Sequence, residues 1–137
     1  MPPSPMARQS ILIVEDQEIL RRALQETLVE AGYRVLTAED GRDANRMFAY
    51  EQMDLVLTDL LMPDRDGIEV ITDLRRSRPD LPVVAMSGGG CMSAHYYLKL
   101  ARSLGAKAVL QKPFSHEELL RAVALALPVP ATGSARR

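Results

Sequence analysis

Five short apolar runs recur along the chain: Ser10–Val14 (SILIV), Tyr33–Thr37 (YRVLT), Asp54–Thr58 (DLVLT), Pro82–Met86 (PVVAM) and Ala108–Gln111 (AVLQ). They are nearly continuous rather than alternating, which is how strands read when a parallel sheet is covered on both faces. Between them the apolar spacing changes to steps of three and four, the period of a helix with one buried side. From Glu18 to Ala31 the stripe is Leu20, Leu24, Leu28 and Ala31, and Gly32 follows as a helix stop. Ala44, Met47 and Phe48 form a stripe across Asp40–Glu51, and Ile68, Ile71 and Leu74 form one across Gly67–Arg76. A fourth helix is predicted from Ser93 to Leu104, with Tyr97, Leu100, Ala101 and Leu104 inward and Gly105 ending it. The last opens on Ser115-His116-Glu117-Glu118, a capping box, and runs through Leu119, Leu120, Val123 and Leu127 until Pro128 stops it.

Strand and helix thus alternate five times, which predicts an α/β fold: an open, doubly wound (βα)5 parallel sheet. The ends look different. Residues 1–8 and 128–137 are rich in Pro, Ser, Gly and Ala and read as flexible tails around a single domain, 9–127.

Composition narrows the function. A formal charge of −1 lacks the surplus of Lys and Arg that phosphate backbones demand, so neither nucleic acid nor an acidic membrane surface is an expected partner. No apolar run approaches bilayer length, and Ile11–Val14 meets Glu15 and Asp16 too soon to be a signal-peptide core. The single cysteine, Cys91, suits a reducing compartment, so a cytoplasmic location is expected.

In a doubly wound sheet, sites collect beyond the carboxyl ends of the strands. Glu15-Asp16 follows the first run, Asp59 the third, Ser87 the fourth and Lys112-Pro113 the fifth. Each alone has an ordinary reading: a turn or N-cap carboxylate, a loop serine, a solvated lysine. Together they bring three carboxylates, a hydroxyl and an ammonium to one edge. Clustered carboxylates repel unless a cation joins them, and hard oxygen ligands suit Mg²⁺. One carboxylate is then able to act as a nucleophile toward phosphorus, with Lys112 and Ser87 facing the transferred group.

Those residues sit in the stretches ILIVEDQEILRRAL, DLVLTDLLMPDRDG, VVAMSG and LGAKAVLQKPF, in that order. In this the chain resembles the receiver domains of two-component response regulators, of the chemotaxis-regulator type. The resemblance covers all but the tails, and D-L-L-M-P-D-x-D-G together with K-P-F is its specific part. It implies a flavodoxin-like strand order of 2-1-3-4-5. It also implies Asp59 as phosphoacceptor, Asp16 as a direct Mg²⁺ ligand, Glu15 as an acid acting through water, and the backbone carbonyl of Leu61 as a further ligand. Ser87 matches the switch hydroxyl, Lys112 the phosphate-pairing lysine, and Lys112-Pro113 a peptide bond that is cis in the family. The implied partner is a histidine kinase or histidine phosphotransfer protein. The implied role is phosphoacceptor rather than enzyme, assisting only its own phosphorylation and dephosphorylation.

Two features depart from the family pattern. Val109 stands where receivers carry Tyr or Phe, so the ring that swings inward on phosphorylation is missing. The stretch from Ser87 to Gly105 is longer than usual and contains Gly88-Gly89-Gly90, on which the switch is expected to fall instead. Val109 also keeps open a phosphorylation-independent interaction module. A haloacid-dehalogenase type of phosphatase needs a second Asp two residues after the nucleophile, where this chain has Leu61. A dinucleotide site needs glycines where Glu15-Asp16-Gln17-Glu18 stands. With only a short tail after Leu127, output is expected through protein contact, by the face of the last two helices and the strand between them. Cys91 reads as a free loop thiol, His95 and His116 as helix residues outside any cluster, and Arg21-Arg22 and Arg75-Arg76 as solvated faces.

Overall fold

The computed structural model describes residues 8–60, 67–88 and 94–127. Both tails beyond Arg8 and Leu127, the carbonyl of Leu61, Gly89-Gly90 and Cys91 lie outside the described residues, as do the side chains of Ile68, His95, Tyr97 and Leu100. The elements follow in the expected alternation: β1 (Ser10–Val14), α1 (Glu18–Glu30), β2 (Arg34–Ala38), α2 (Gly41–Tyr50), β3 (Leu55–Asp59), α3 (Gly67–Ser77), β4 (Val83–Ser87), α4 (Ala94–Ser103), β5 (Ala108–Gln111) and α5 (His116–Ala126). All strand pairs are parallel and the order is β2-β1-β3-β4-β5, the doubly wound topology.

The near-continuous apolar runs are explained by two cores. Leu12 and Val14 of β1, Val56 of β3 and Val83 and Ala85 of β4 pack on one face with Ala44, Phe48, Val70, Ile71 and Leu74. Ile11 and Ile13, Leu55 and Leu57, Val84 and Met86 face the other way, against Leu24, Leu28, Leu119 and Val123 of α1 and α5. Every residue of β1, β3 and β4 is buried, whereas edge strand β2 is open at Arg34. Each fully buried Leu, Ile or Val contributes about 1.5–3 kcal/mol relative to exposure.

Three strands lie one residue later than their apolar runs suggest. β2, β3 and β4 begin at Arg34, Leu55 and Val83 and run through Ala38, Asp59 and Ser87. At β3 the reason is visible. The N–H of Asp54 donates to the carbonyl of Ser10 and its carboxylate accepts from the Ser10 N–H, both at 2.7 Å, so Asp54 closes the strand's entrance and is not part of the strand. The consequence is functional: Asp59 and Ser87 are the last residues of their strands, paired in register with Met86 and Gln111.

The turn chemistry agrees with the sequence. Gly32 and Gly105 hold φ of 102° and 92°, a region that excludes most side chains. Asp40 caps α2 by accepting from the Asp43 N–H at 2.9 Å. The α5 capping box is complete: Ser115 Oγ accepts from the Glu118 N–H at 3.0 Å, and Glu118 Oε1 accepts from the Ser115 N–H at 2.8 Å.

Candidate functional site

The central strands end together, and parallel register carries their last residues to one edge. Glu15 follows β1, its N–H donating to the carbonyl of Ala38, the last residue of β2, at 3.1 Å. Asp59 closes β3, and Leu60 after it donates to the carbonyl of Met86 at 2.9 Å. Lys112 follows β5, and its N–H donates to the carbonyl of Ser87 at 2.7 Å. The Lys112-Pro113 peptide is cis, as the resemblance implies.

Carboxylate oxygens of Glu15, Asp16 and Asp59 lie within 4.8 Å of one another. Glu15 is wholly buried and Asp59 nearly so, while Asp16 is the most open of the three. Lys112 Nζ reaches between the two buried acids, 2.9 Å from Asp59 Oδ2 and 3.2 Å from Glu15 Oε1. The other oxygen of Glu15 accepts from the Gln17 N–H at 3.1 Å.

One ammonium does not balance three carboxylates. Burial, with the charge of Asp59 added, raises the Glu15 carboxyl from 4.5 to about 7, although Gln17 and Lys112 pull the other way. Burial also opposes charge on Lys112, yet its hydrogen bond and attraction to Asp59, with Glu15 beside it, hold its pKa above the ordinary value. Ser87 Oγ is buried and makes no hydrogen bond among the described residues, a costly state for a hydroxyl. Here the residues fit a divalent cation and a phosphoryl group: hard oxygen donors with surplus negative charge, and a donor hydroxyl without an acceptor.

An open groove of about 900 Å³ gives access to the cluster. Asp16, Asp59 and Lys112 line it together with Ile19, Leu20, Ala23 and Phe114. Ile19 is 87% exposed, so this lip carries apolar surface to solvent.

Of the site residues named from sequence, Glu15, Asp16, Asp59 and Lys112 thus converge, Ser87 meets Lys112 through its backbone carbonyl, and Leu61 lies outside the described residues. Residues 11–124 match the family described as the response regulator receiver domain. The chain belongs to that family. Among curated relatives, it is 37% identical over 110 residues to the response regulator MprA of Mycolicibacterium vanbaalenii, spanning 80% of this chain and 46% of that protein. It is 34% identical to the alkaline phosphatase synthesis transcriptional regulatory protein PhoP of Bacillus subtilis, spanning 81% and 45%. This receiver domain therefore spans about half the length of those relatives. Among solved structures it is similar to the chemotaxis response regulator CheY4 of Vibrio cholerae, with a TM-score of 0.78 at 28% identity over 88% of this chain and 99% of that one. A receiver domain protein from Clostridium thermocellum gives 0.80 at 27% identity, over 86% and 93%. Receiver domains are signalling modules of two-component systems.

Two arginines read as solvated are not. Arg22 does face solvent, paired with Glu18 at 2.8 Å, but Arg21 turns inward and its Nη1 donates to the carbonyl of Glu15 at 3.0 Å. Arg76 is exposed, whereas Arg75 donates to the carbonyls of Pro79, Leu81, Leu104 and Gly105. A signal was available. At about 100° per residue, Arg21 falls beside Leu24 and Leu28 on the flank of the apolar stripe, and Arg22 falls opposite. His116 opens α5, exposed and, among the described residues, outside the acidic cluster. No helix among the described residues is long and apolar enough to cross a membrane.

Proposed function

We propose that this chain carries a signal as a phosphoryl group on Asp59, taken from a phosphohistidine of a histidine kinase or histidine phosphotransfer protein. The observation that carries this reading is the Lys112 ammonium 2.9 Å from the Asp59 carboxylate, inside a ring of acids. An Asp59 oxygen forms the new bond to phosphorus as the donor's P–N bond breaks. Asp16 and Asp59 would hold Mg²⁺ directly, Glu15 through water, and the backbone carbonyl of Leu61 would complete the protein ligands. When bound, Mg²⁺ neutralises charge gathering on the phosphoryl oxygens.

The chain's own groups supply the rest. Lys112 already lies against Asp59 and needs little movement to pair with a phosphoryl oxygen. Ser87 Oγ gains the acceptor that it lacks. The exposed Ile19 and half-buried Leu20 beside the acids suit a protein donor over a free metabolite. We further propose that the domain acts in the cytoplasm, and that its output is contact with a downstream protein target rather than with nucleic acid or membrane. Val109 is the one observation favouring the second reading, a phosphorylation-independent interaction module.

The two separate cleanly. Incubated with acetyl phosphate and Mg²⁺, the chain should gain one phosphoryl mass, and Asp59→Asn should gain none. Equal labelling of the Asn variant, or no labelling of either, overturns the phosphoacceptor reading.

A further inference from the structure

The residue Glu15 is held at four atoms by four different segments. Its N–H donates to Ala38 at the end of β2, and its Oε1 accepts from Lys112 beyond β5. Its Oε2 accepts from the N–H of Gln17 in the same turn, and its carbonyl accepts from Arg21 Nη1 at 3.0 Å. Asp16, next in the chain, has no such support: among the described residues, none hydrogen-bonds to its carboxylate. The direction of that carboxylate is therefore set by the backbone, and first by the plane of the peptide joining Glu15 to Asp16. Arg21 holds the oxygen of that peptide.

We infer that Arg21 is a positioning residue for the acidic cluster, fixing the Glu15–Asp16 peptide so that the Asp16 carboxylate stands ready for the cation. This rests on the Mg²⁺ reading above and deepens it. Arg21 sits one turn into α1, where the N–H of Arg21 itself donates to the carbonyl of Gln17 at 2.9 Å. The helix is thus anchored and the guanidinium reaches back from a fixed base. A planar guanidinium that donates through Nη1 to the carbonyl oxygen is preorganised, so it opposes rotation of the peptide more than a solvated lysine does. Without it the peptide is free to turn, Asp16 samples directions away from Glu15 and Asp59, and part of the cation's binding energy goes to restoring order.

The sign of the effect separates this role from simple electrostatics. A guanidinium near a cation site repels the cation, so deleting its charge alone should tighten Mg²⁺ binding. Deleting a positioning group should weaken it. Groups that orient metal ligands from behind typically change affinity 10–100-fold when removed.

The full chain and its Arg21→Met, Arg21→Lys and Arg22→Met variants would be titrated with MgCl₂ by calorimetry above pH 8, and melted in EDTA. Arg21→Met should raise the Mg²⁺ Kd by about tenfold, at the lower end of that range. Arg21→Lys should fall between it and the parent, and Arg22→Met should match the parent. A purely structural Arg21 would lower the melting temperature in EDTA and leave Kd alone. An Arg21→Met constant equal to or tighter than the parent's overturns the proposal. Should that variant not fold, a parental constant for Arg21→Lys overturns it equally. A parent chain that takes up no Mg²⁺ sinks the site reading as well, whereas parental binding with an unaltered Arg21→Met constant sinks this inference alone.

Discussion

The backbone N–H of Lys112 donates to the carbonyl of Ser87 at 2.7 Å, so the two groups expected to meet the phosphoryl oxygens share one hydrogen bond across the ends of β4 and β5. That bond fixes where both side chains start. Lys112 Nζ is engaged with Asp59 and Glu15, while Ser87 Oγ, 1% exposed as a residue, has no partner among the described residues.

Ser87→Ala should therefore split two properties that usually move together. Removing a buried hydroxyl that bonds to nothing relieves a desolvation cost of about 1–3 kcal/mol, offset in part by the small void left behind. The unmodified Ala variant should be as stable as the parent, or more stable by about 1 kcal/mol. Its stabilisation by the phosphoryl mimic beryllofluoride should be smaller. Urea unfolding with and without the mimic checks both; a variant clearly less stable without the mimic would mean that the hydroxyl already has a structural role.

The pH dependence follows from Glu15. Its folded pKa is raised from 4.5 to about 7, first by burial and then by Asp59. The folded state thus keeps a proton that the unfolded chain releases across that interval. This contribution to stability is complete below pH 4.5 and disappears as pH rises through about 7. Lys112, whose pKa is also raised, keeps its own contribution throughout that window and loses it only at much higher pH. In EDTA, the parent should lose stability from pH 5 to 7.5 relative to Glu15→Gln, which carries no titrating group there. Parallel curves in denaturant titrations at each pH would contradict this.

Mg²⁺ should reverse that loss. A cation that binds only the folded cluster stabilises it by mass action, about 2.7 kcal/mol at a hundredfold excess over Kd. It prefers the ionised acids, so its affinity should rise with pH as Glu15 gives up its proton. Melting curves in EDTA and in MgCl₂ at pH 6 and pH 8 test the sum. A gain that is absent, or larger at pH 6, counts against the acidic cluster as the binding site.

The same residues show what was legible in the sequence and what was not. Element order could be read because each strand is buried on both faces, so Ile11–Val14 and Val83–Met86 appear as unbroken apolar runs. Ser115 and Glu118, like Gly32 and Gly105, act within a few residues of themselves, and local chemistry is visible in local sequence. Strand ends were harder: the bonds that exclude Asp54 from β3 run to Ser10, 44 residues away. Asp16, Asp59 and Lys112 could be proposed together only because the topology brings strand ends to one edge. The inward turns of Arg21 and Arg75 went unread because an arginine's charge says less than its place on the helix flank.

Arg75 yields a stability test away from the site. Its guanidinium donates to Pro79 and Leu81 before β4 and to Leu104 and Gly105 before β5, tying two connections to the end of α3. Hydrogen bonds from a charged donor contribute about 1.5–3 kcal/mol each when well formed, less where water competes. Arg75→Met should cost about 2 kcal/mol in urea unfolding, and Arg75→Lys should recover little, since one ammonium cannot span four carbonyls. Arg76→Met, on the exposed side, should be near neutral. Equal effects of the Arg75 and Arg76 variants would refute the clamp.

The last expectation concerns how a phosphoryl group on Asp59 reaches the surface. Val109 pairs in register with Ala85 on β4 and is half-buried against the core face that includes Ala101. A β-branched side chain in a strand has few rotamers, so no large group swings there. Ser87 is placed to respond: among the described residues its hydroxyl has no partner to give up, and a bond to a phosphoryl oxygen is charge-assisted. Movement of Ser87 carries Gly88 with it, and Gly88 lies against the Lys112 side chain, where an added Cβ would stand 3.5 Å from Cδ. The carbonyl of Ser87 is meanwhile held by the Lys112 N–H, which leaves Gly88 to take up the shift and spares β5. Amide hydrogen exchange with and without beryllofluoride should therefore show protection rising from Gly88 into the first turn of α4, with Ala108–Gln111 unchanged. Val109→Ala should leave that pattern intact. A response centred on Val109, or one lost in Val109→Ala, would place the switch on β5 instead.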